Sequence, residues 1–160
     1  MRKIAFGFML LSLVLNLNAC AEHKEQELTP EQYMKKIEMQ AGVKTLPSGL
    51  AYQIIRSGDS KDASPAPGDL ILLEYEGRLP DGVIFDSSDK HGTGLIQMPL
   101  DGLIPGWMET LPKMHPGDIW KIYVPPQLGY GNKSMGIIPS NSPLVFKIHL
   151  VGVTKAPQNS

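Results

Sequence analysis

Cysteine is almost absent from this chain of 160 residues, with Cys20 the only one. A single thiol excludes an intramolecular disulfide framework and a cysteine-rich zinc site. Histidine is sparse too. No two of His23, His91, His115 and His149 stand at the spacing that puts two ligands on one helix face, so no metal is expected. Charge of one sign is also lacking: the formal net charge is -1. A nearly neutral chain exerts no general pull on nucleic acid, and none is expected as a partner. No internal repeat is present. Gly92-Thr93-Gly94 and Gly129-Tyr130-Gly131 lack the rest of a phosphate-binding fingerprint, and no Gly-x-Ser-x-Gly elbow occurs. No cofactor is therefore expected.

Long hydrophobic runs are missing as well. The longest, Ile4 to Leu17, falls short of the ~20 apolar residues that a spanning helix needs, and suits the apolar core of a signal peptide. Arg2 and Lys3 supply its positive start. Leu17-Asn18-Ala19-Cys20 then resembles a bacterial lipobox, in which the cysteine is lipidated and becomes the mature N-terminus. The plainer reading is an ordinary signal peptide followed by an incidental cysteine. On the lipobox reading residues 1–19 are removed and the membrane is a partner through lipid on Cys20. The residue after the cysteine is Ala21, not an aspartate, which favours an outer-membrane address facing the periplasm.

Hydrophobic residues at 42% and charged residues at 19% describe a globular chain. Residues 20–45 read as a polar tether and one short helix. Thr29 can cap it, Pro30 suits its first position and Gln32 completes a capping box, so a helix is predicted to about Gln40, stopped by Gly42. Tyr33, Met34 and Ile37 share one face, available to the domain or to a second copy; a monomer or weak dimer is expected. Beyond Pro47 the pattern alternates like strands. Strands are predicted over Leu50 to Arg56, Asp69 to Gly77, Val83 to Asp86, Asp118 to Val124 and Leu144 to Val153. A short helix is predicted around Trp107 to Leu111, and Pro125 to Ser142 is a long loop. The fold class is α+β: a mostly antiparallel sheet with one short helix to cover its apolar face. The division is 46–154 for the domain and 155–160 for a C-terminal tail.

Carboxylates are scattered, so no acid–base pair stands out. Aromatic and apolar residues gather instead at loop edges, which favours an apolar ligand over covalent chemistry. Core packing alone would also explain strand-periodic Tyr75, Phe85 and Phe146, a helix-start Trp107, a loop Tyr130 and a turn Asp86.

Taken in order, these segments resemble a known family. They are Leu73-Glu74-Tyr75-Glu76-Gly77, Asp81-Gly82-Val83-Ile84-Phe85-Asp86-Ser87-Ser88, Leu103-Ile104-Pro105-Gly106-Trp107, Val124-Pro125-Pro126, Leu128-Gly129-Tyr130-Gly131, Ile137-Ile138-Pro139 and Leu144-Val145-Phe146. Together they resemble the FKBP-type peptidyl-prolyl isomerases, over about Leu46 to Thr154. The resemblance implies a twisted antiparallel sheet wrapped around one short helix, here with an N-terminal helical arm. It implies Trp107 as the floor of a proline pocket, and Tyr75, Phe85 and Phe146 as its aromatic wall. It places Asp86 at the polar edge and Tyr130 above with its hydroxyl. Leu103 and Ile104 would line the entrance, the Ile104 N–H bonding substrate, while Ile137 and Ile138 close one side. Ile96 or Met98 stands where many members carry a further aromatic. The loop from Tyr130 to Ile137 is one residue shorter than in eukaryotic members, with Met135 inside it; both departures bear on peptide preference and drug affinity.

The implied activity is cis-trans isomerisation of X–Pro bonds, assisting protein folding in the cell envelope. Partners would be unfolded or Pro-containing polypeptides, with macrolides of the rapamycin type as candidate ligands. The competing reading is a chaperone or assembly factor that holds such segments without turnover. The complete aromatic set favours the enzyme, as does the absence of a large insertion between Gly131 and Ile137.

Overall fold

The computed structural model describes residues 28–157. The expected signal segment, Cys20 and the start of the tether lie outside that span. Among the described residues, no helix is long and apolar enough to cross a membrane.

Helix α1 runs Pro30–Glu38 and begins as its sequence dictates. The Thr29 hydroxyl accepts from the Gln32 N–H at 3.2 Å, and Gln32 Oε1 accepts from the Thr29 N–H at 2.9 Å. This reciprocal box satisfies two donors the first turn leaves free. The helix ends at Glu38, two residues earlier than expected.

Seven strands follow: β1 Val43–Thr45, β2 Ala51–Arg56, β3 Leu70–Arg78, β4 Ile84–Ser87, β5 Ile96–Pro99, β6 Ile119–Val124 and β7 Leu144–Thr154. They form one antiparallel sheet in the order β1-β2-β6-β7-β3-β4, with β5 also paired to β3. Helix α2, Pro105–Thr110, lies between β5 and β6 in the chain.

Alternation along β7 explains the layering, because successive side chains of a strand point to opposite faces. Leu144, Phe146, Ile148 and Leu150 enter one core with Ile71, Leu73 and Ile122. Trp107 and Leu111, from α2 and the turn after it, fill the same core. Val145 points the other way and meets Met34 and Ile37 of α1, together with Ala51 and Tyr123.

One boundary moves here, and one open choice closes. β1 pairs with β2, Val43 opposite Gln53 and Thr45 opposite Ala51, so the sheet starts before residue 46. Met34 and Ile37 are 7% and 4% exposed, because their own domain covers them. Of the two surfaces this face could meet, its own domain is the one it packs on, through Ala51, Tyr123 and Val145. Strand β5 was not expected at all. Ile96-Gln97-Met98-Pro99 is short, and its pairing with Leu70 to Leu73 is a long-range event that local pattern does not announce.

The start of the C-terminal tail is clamped. Asp69 accepts from Lys155 Nζ at 2.9 Å, from the Ala156 N–H at 2.9 Å and from the Ala66 N–H at 2.7 Å. Lys155 and these backbone donors hold the Asp69 carboxyl down at about 2.

Two contacts set α2 against the sheet. Ser48, in the turn before β2, donates its hydroxyl to both Glu109 oxygens, at 2.9 and 2.7 Å. Gly106 is the second: a Cβ there would come within 2.7 Å of Val124 Cγ1. The absent side chain lets the first turn of α2 lie on β6, which lowers the Trp107 indole into the core.

Candidate functional site

Three strands and one helix bring the aromatic residues together. Tyr75 comes from β3, Phe85 from β4, Phe146 from β7 and Trp107 from α2. Trp107 meets Tyr75 edge to face, with centroids 5.2 Å apart at 82°. It meets Phe146 at 5.2 Å and 80°. Phe146 meets Phe85 at 5.5 Å and 90°. In such pairs the positive ring edge lies against a negative ring face, each worth about 0.5–1.5 kcal/mol beyond buried area. Trp107 and Phe146 are buried, whereas Tyr75 and Phe85 are half-buried. The floor is therefore core, and the wall reaches the surface.

Asp86 supplies the polar edge. Its Oδ2 accepts from the Tyr75 hydroxyl at 2.6 Å, and its Oδ1 from the Ser87 N–H at 2.9 Å. His91 Nε2 lies 3.3 Å from the same Oδ1. Partial burial pushes the Asp86 carboxyl up, but the Tyr75 hydroxyl, the Ser87 N–H and His91 outweigh it, so the group stays below the usual carboxylate range. The Tyr75 phenol is pushed up by burial and by its bond to Asp86. Burial, then the Asp86 charge, also raises the Tyr130 phenol. At neutral pH the site thus presents one carboxylate and two intact phenol groups.

The remaining expected residues divide. Leu103, Ile104, Ile96, Met98 and Tyr130 are partly buried and pack on the cluster that contains Trp107, Phe146 and buried Ile138. Ile104 caps α2 and accepts from the Trp107 N–H at 2.9 Å; its own N–H makes no hydrogen bond among the described residues. Ile137 is 60% exposed and stands outside this packing, while its neighbour Ile138 is 6% exposed. Ile137 is therefore a rim residue. Ile96 and Met98 belong to β5, opposite Leu73 and Ile71, and present their side chains from the sheet.

Three residues of this neighbourhood were not singled out from the sequence. A Cβ on Gly77 would stand 2.6 Å from Phe85 Cζ and 2.9 Å from Phe146 Cε1. Glycine at this point of β3 therefore makes room for the ring pair. A glycine inside a strand pattern is a signal of close approach, and it was available. Ser88 Oγ accepts from the Tyr75 N–H at 3.0 Å and lies 3.3 Å from the Tyr75 carbonyl oxygen. His91 follows on the same 3-10 turn, Ser88–His91. Two surface grooves beside α1 are lined by none of the four rings, and Tyr33, Leu79 and Pro80 line both in part.

Residues 61–151 match the family model described as FKBP-type peptidyl-prolyl cis-trans isomerase. Among curated relatives, the peptidyl-prolyl cis-trans isomerase Mip of Coxiella burnetii is 47% identical over 115 residues, covering 71% of this chain and 49% of that protein. The outer membrane protein MIP of Legionella longbeachae is 39% identical over 134 residues, covering 83% and 56%. Among solved structures, FkpA from Escherichia coli superposes with a TM-score of 0.74 at 38% identity, covering 80% of this chain and 59% of that one. The chain spans about half the length of the curated relatives it matches.

Proposed function

We propose, from the fact that this chain belongs to the FKBP-type peptidyl-prolyl cis-trans isomerase family, that it catalyses rotation about X–Pro bonds in Pro-containing polypeptides of the cell envelope. The observation that carries this reading is the ring cluster of Tyr75, Phe85, Trp107 and Phe146, closed at one edge by the Tyr75–Asp86 bond.

The chemistry follows from the amide. Resonance holds the bond planar and sets a barrier of ~18–20 kcal/mol, so unassisted rotation takes tens to hundreds of seconds. At the twisted transition state that resonance is lost and charge separation falls. An apolar wall disfavours the polar planar form relative to the twisted one, which is differential binding of the transition state. Trp107 would support the proline ring, with Phe85, Phe146 and Tyr75 around the amide. The Ile104 N–H and the Tyr130 hydroxyl are donors suited to peptide carbonyl groups. No proton transfer is required of Asp86. Its part is to hold the Tyr75 ring. The same pocket is the expected seat for macrolides of the rapamycin type.

A second reading, holding of non-native chains without turnover, draws on the exposed Val83, Leu95, Met108, Met135 and Ile137. A protease-coupled assay on a proline tetrapeptide separates the two. Catalytic turnover supports the isomerase. Binding without any rate increase would leave only the holding role.

For location, we read residues 1–19 as a removed signal peptide and Cys20 as a lipid anchor in the outer membrane. The charged start, the short apolar run and the lone cysteine in a lipobox-like setting support this. Mass spectrometry of the native protein should find an acylated Cys20 at the N-terminus. An intact Met1 would contradict it.

A further inference from the structure

The 3-10 turn after β4 carries a titratable side chain into the polar edge of the pocket. His91 Nε2 is 3.3 Å from Asp86 Oδ1, while Asp86 Oδ2 accepts from the Tyr75 hydroxyl at 2.6 Å. A carboxylate can only accept, so Nε2 carries the hydrogen and Nδ1 is the nitrogen left to take up a second proton. Protonation would therefore keep the contact and change it from a neutral donor into a charge-assisted one, which is shorter and stronger. Tyr75 in turn stands edge-on to Trp107, the buried floor, at 5.2 Å. A continuous line of contacts thus joins His91 to the site.

We propose that His91 is a positioning residue of the proline pocket, whose protonation tightens Asp86 on the Tyr75 hydroxyl and so makes catalysis pH-dependent. This rests on the isomerase reading above. The imidazole of His91 meets the Asp86 carboxylate. It acts through Asp86.

The charged and titratable groups around it agree with this role. From its own turn, Lys90 donates its ammonium to the Phe85 carbonyl oxygen at 3.2 Å. Asp89 on the same turn faces Gly94. From β3 comes Tyr75, and from the long loop Tyr130, both phenols that keep their protons at neutral pH. Asp86 is thus the carboxylate in hydrogen-bond contact with the imidazole among the described residues. Histidine side chains change charge between about pH 5 and 8, whereas the Tyr75 and Tyr130 phenols are pushed up and the Asp86 carboxyl is held down.

The test is the pH profile of kcat/KM between pH 5.5 and 8, read by nuclear magnetic exchange on a proline peptide so that no coupling protease is needed. The full chain, His91→Arg and His91→Gln are compared, each first shown by thermal melting to be folded. Wild type should be about two- to fivefold more active at pH 5.5 than at pH 8, the scale of a partly exposed ion pair. His91→Arg, with a fixed charge, should be flat at the higher level, and His91→Gln flat at the lower one. A wild-type slope that survives in His91→Gln, or a flat wild-type profile, overturns the proposal. Absence of turnover from wild type at every pH overturns the isomerase reading instead. The Arg–Gln contrast is what a purely structural histidine would not produce.

Discussion

Phe85→Ala should leave a folded protein whose turnover of a proline peptide falls by roughly ten- to a hundredfold. The ring is half-buried on β4 and leans on Phe146 at 5.5 Å, so its loss opens the wall of the pocket without emptying the core. A Phe side chain brings about 1.5–3 kcal/mol of apolar contact, and each ~1.4 kcal/mol of transition-state binding is tenfold in rate. Trp107→Ala is the harsher partner. That indole is 5% exposed and touches both Tyr75 and Phe146, so its removal also costs about 3–5 kcal/mol of stability. Circular dichroism and thermal melting separate the two effects. Full activity in a folded Phe85→Ala protein would refute the assignment of the wall.

Gly77→Ala should reduce activity and stability together, although it adds only one methyl group. A Cβ at this position of β3 would stand 2.6 Å from Phe85 Cζ and 2.9 Å from Phe146 Cε1, closer than carbon atoms pack. One ring must move, and Phe146 is 3% exposed within the core. Phe85, nearer the surface, would give way and carry the wall with it. Overpacking of this kind typically costs about 1–3 kcal/mol. The readouts are the melting temperature and the peptide turnover of the variant. A variant with both at wild-type levels would show that the rings have slack, and that Gly77 does not shape the site.

The contrast between Phe85 and Gly77 also shows how far the sequence could be read. The long strands were visible because burial imposes a period of two: Leu144, Phe146, Ile148 and Leu150 lie on one face of β7, as alternation requires. The start of α1 was visible because the Thr29–Gln32 box is a local interaction between residues three apart. Strand β5 was not, since Ile96 to Pro99 acquires its conformation from distant Leu70 to Leu73. The destination of the Tyr33–Met34–Ile37 face was equally hidden. A helix pattern shows that one side is apolar but not which surface covers it, and here the covering residues are Ala51, Tyr123 and Val145.

At the site the division is similar. Residue types and order point to Tyr75, Phe85, Trp107 and Phe146, and the fold brings these four rings into contact. The supporting residues are harder to see. Ser88 matters through an oxygen placed against the Tyr75 backbone, and His91 through a ring nitrogen placed against Asp86. Both depend on how the 3-10 turn folds back over β3, which residue spacing does not specify. Ile137 shows the reverse case: adjacent isoleucines look equivalent in sequence, yet Ile138 packs inward and Ile137 faces solvent.

The central claim is that an apolar aromatic pocket speeds rotation about an X–Pro bond. Its most direct test is the cis-trans exchange rate of a single-proline peptide with a catalytic amount of the full chain, beside the same amount of Phe85→Ala. The account predicts exchange well above the uncatalysed rate, on the order of one event per tens to hundreds of seconds, for wild type. It predicts a rate much closer to uncatalysed for the variant. Wild-type protein that binds the peptide yet leaves its exchange at the uncatalysed rate would contradict it.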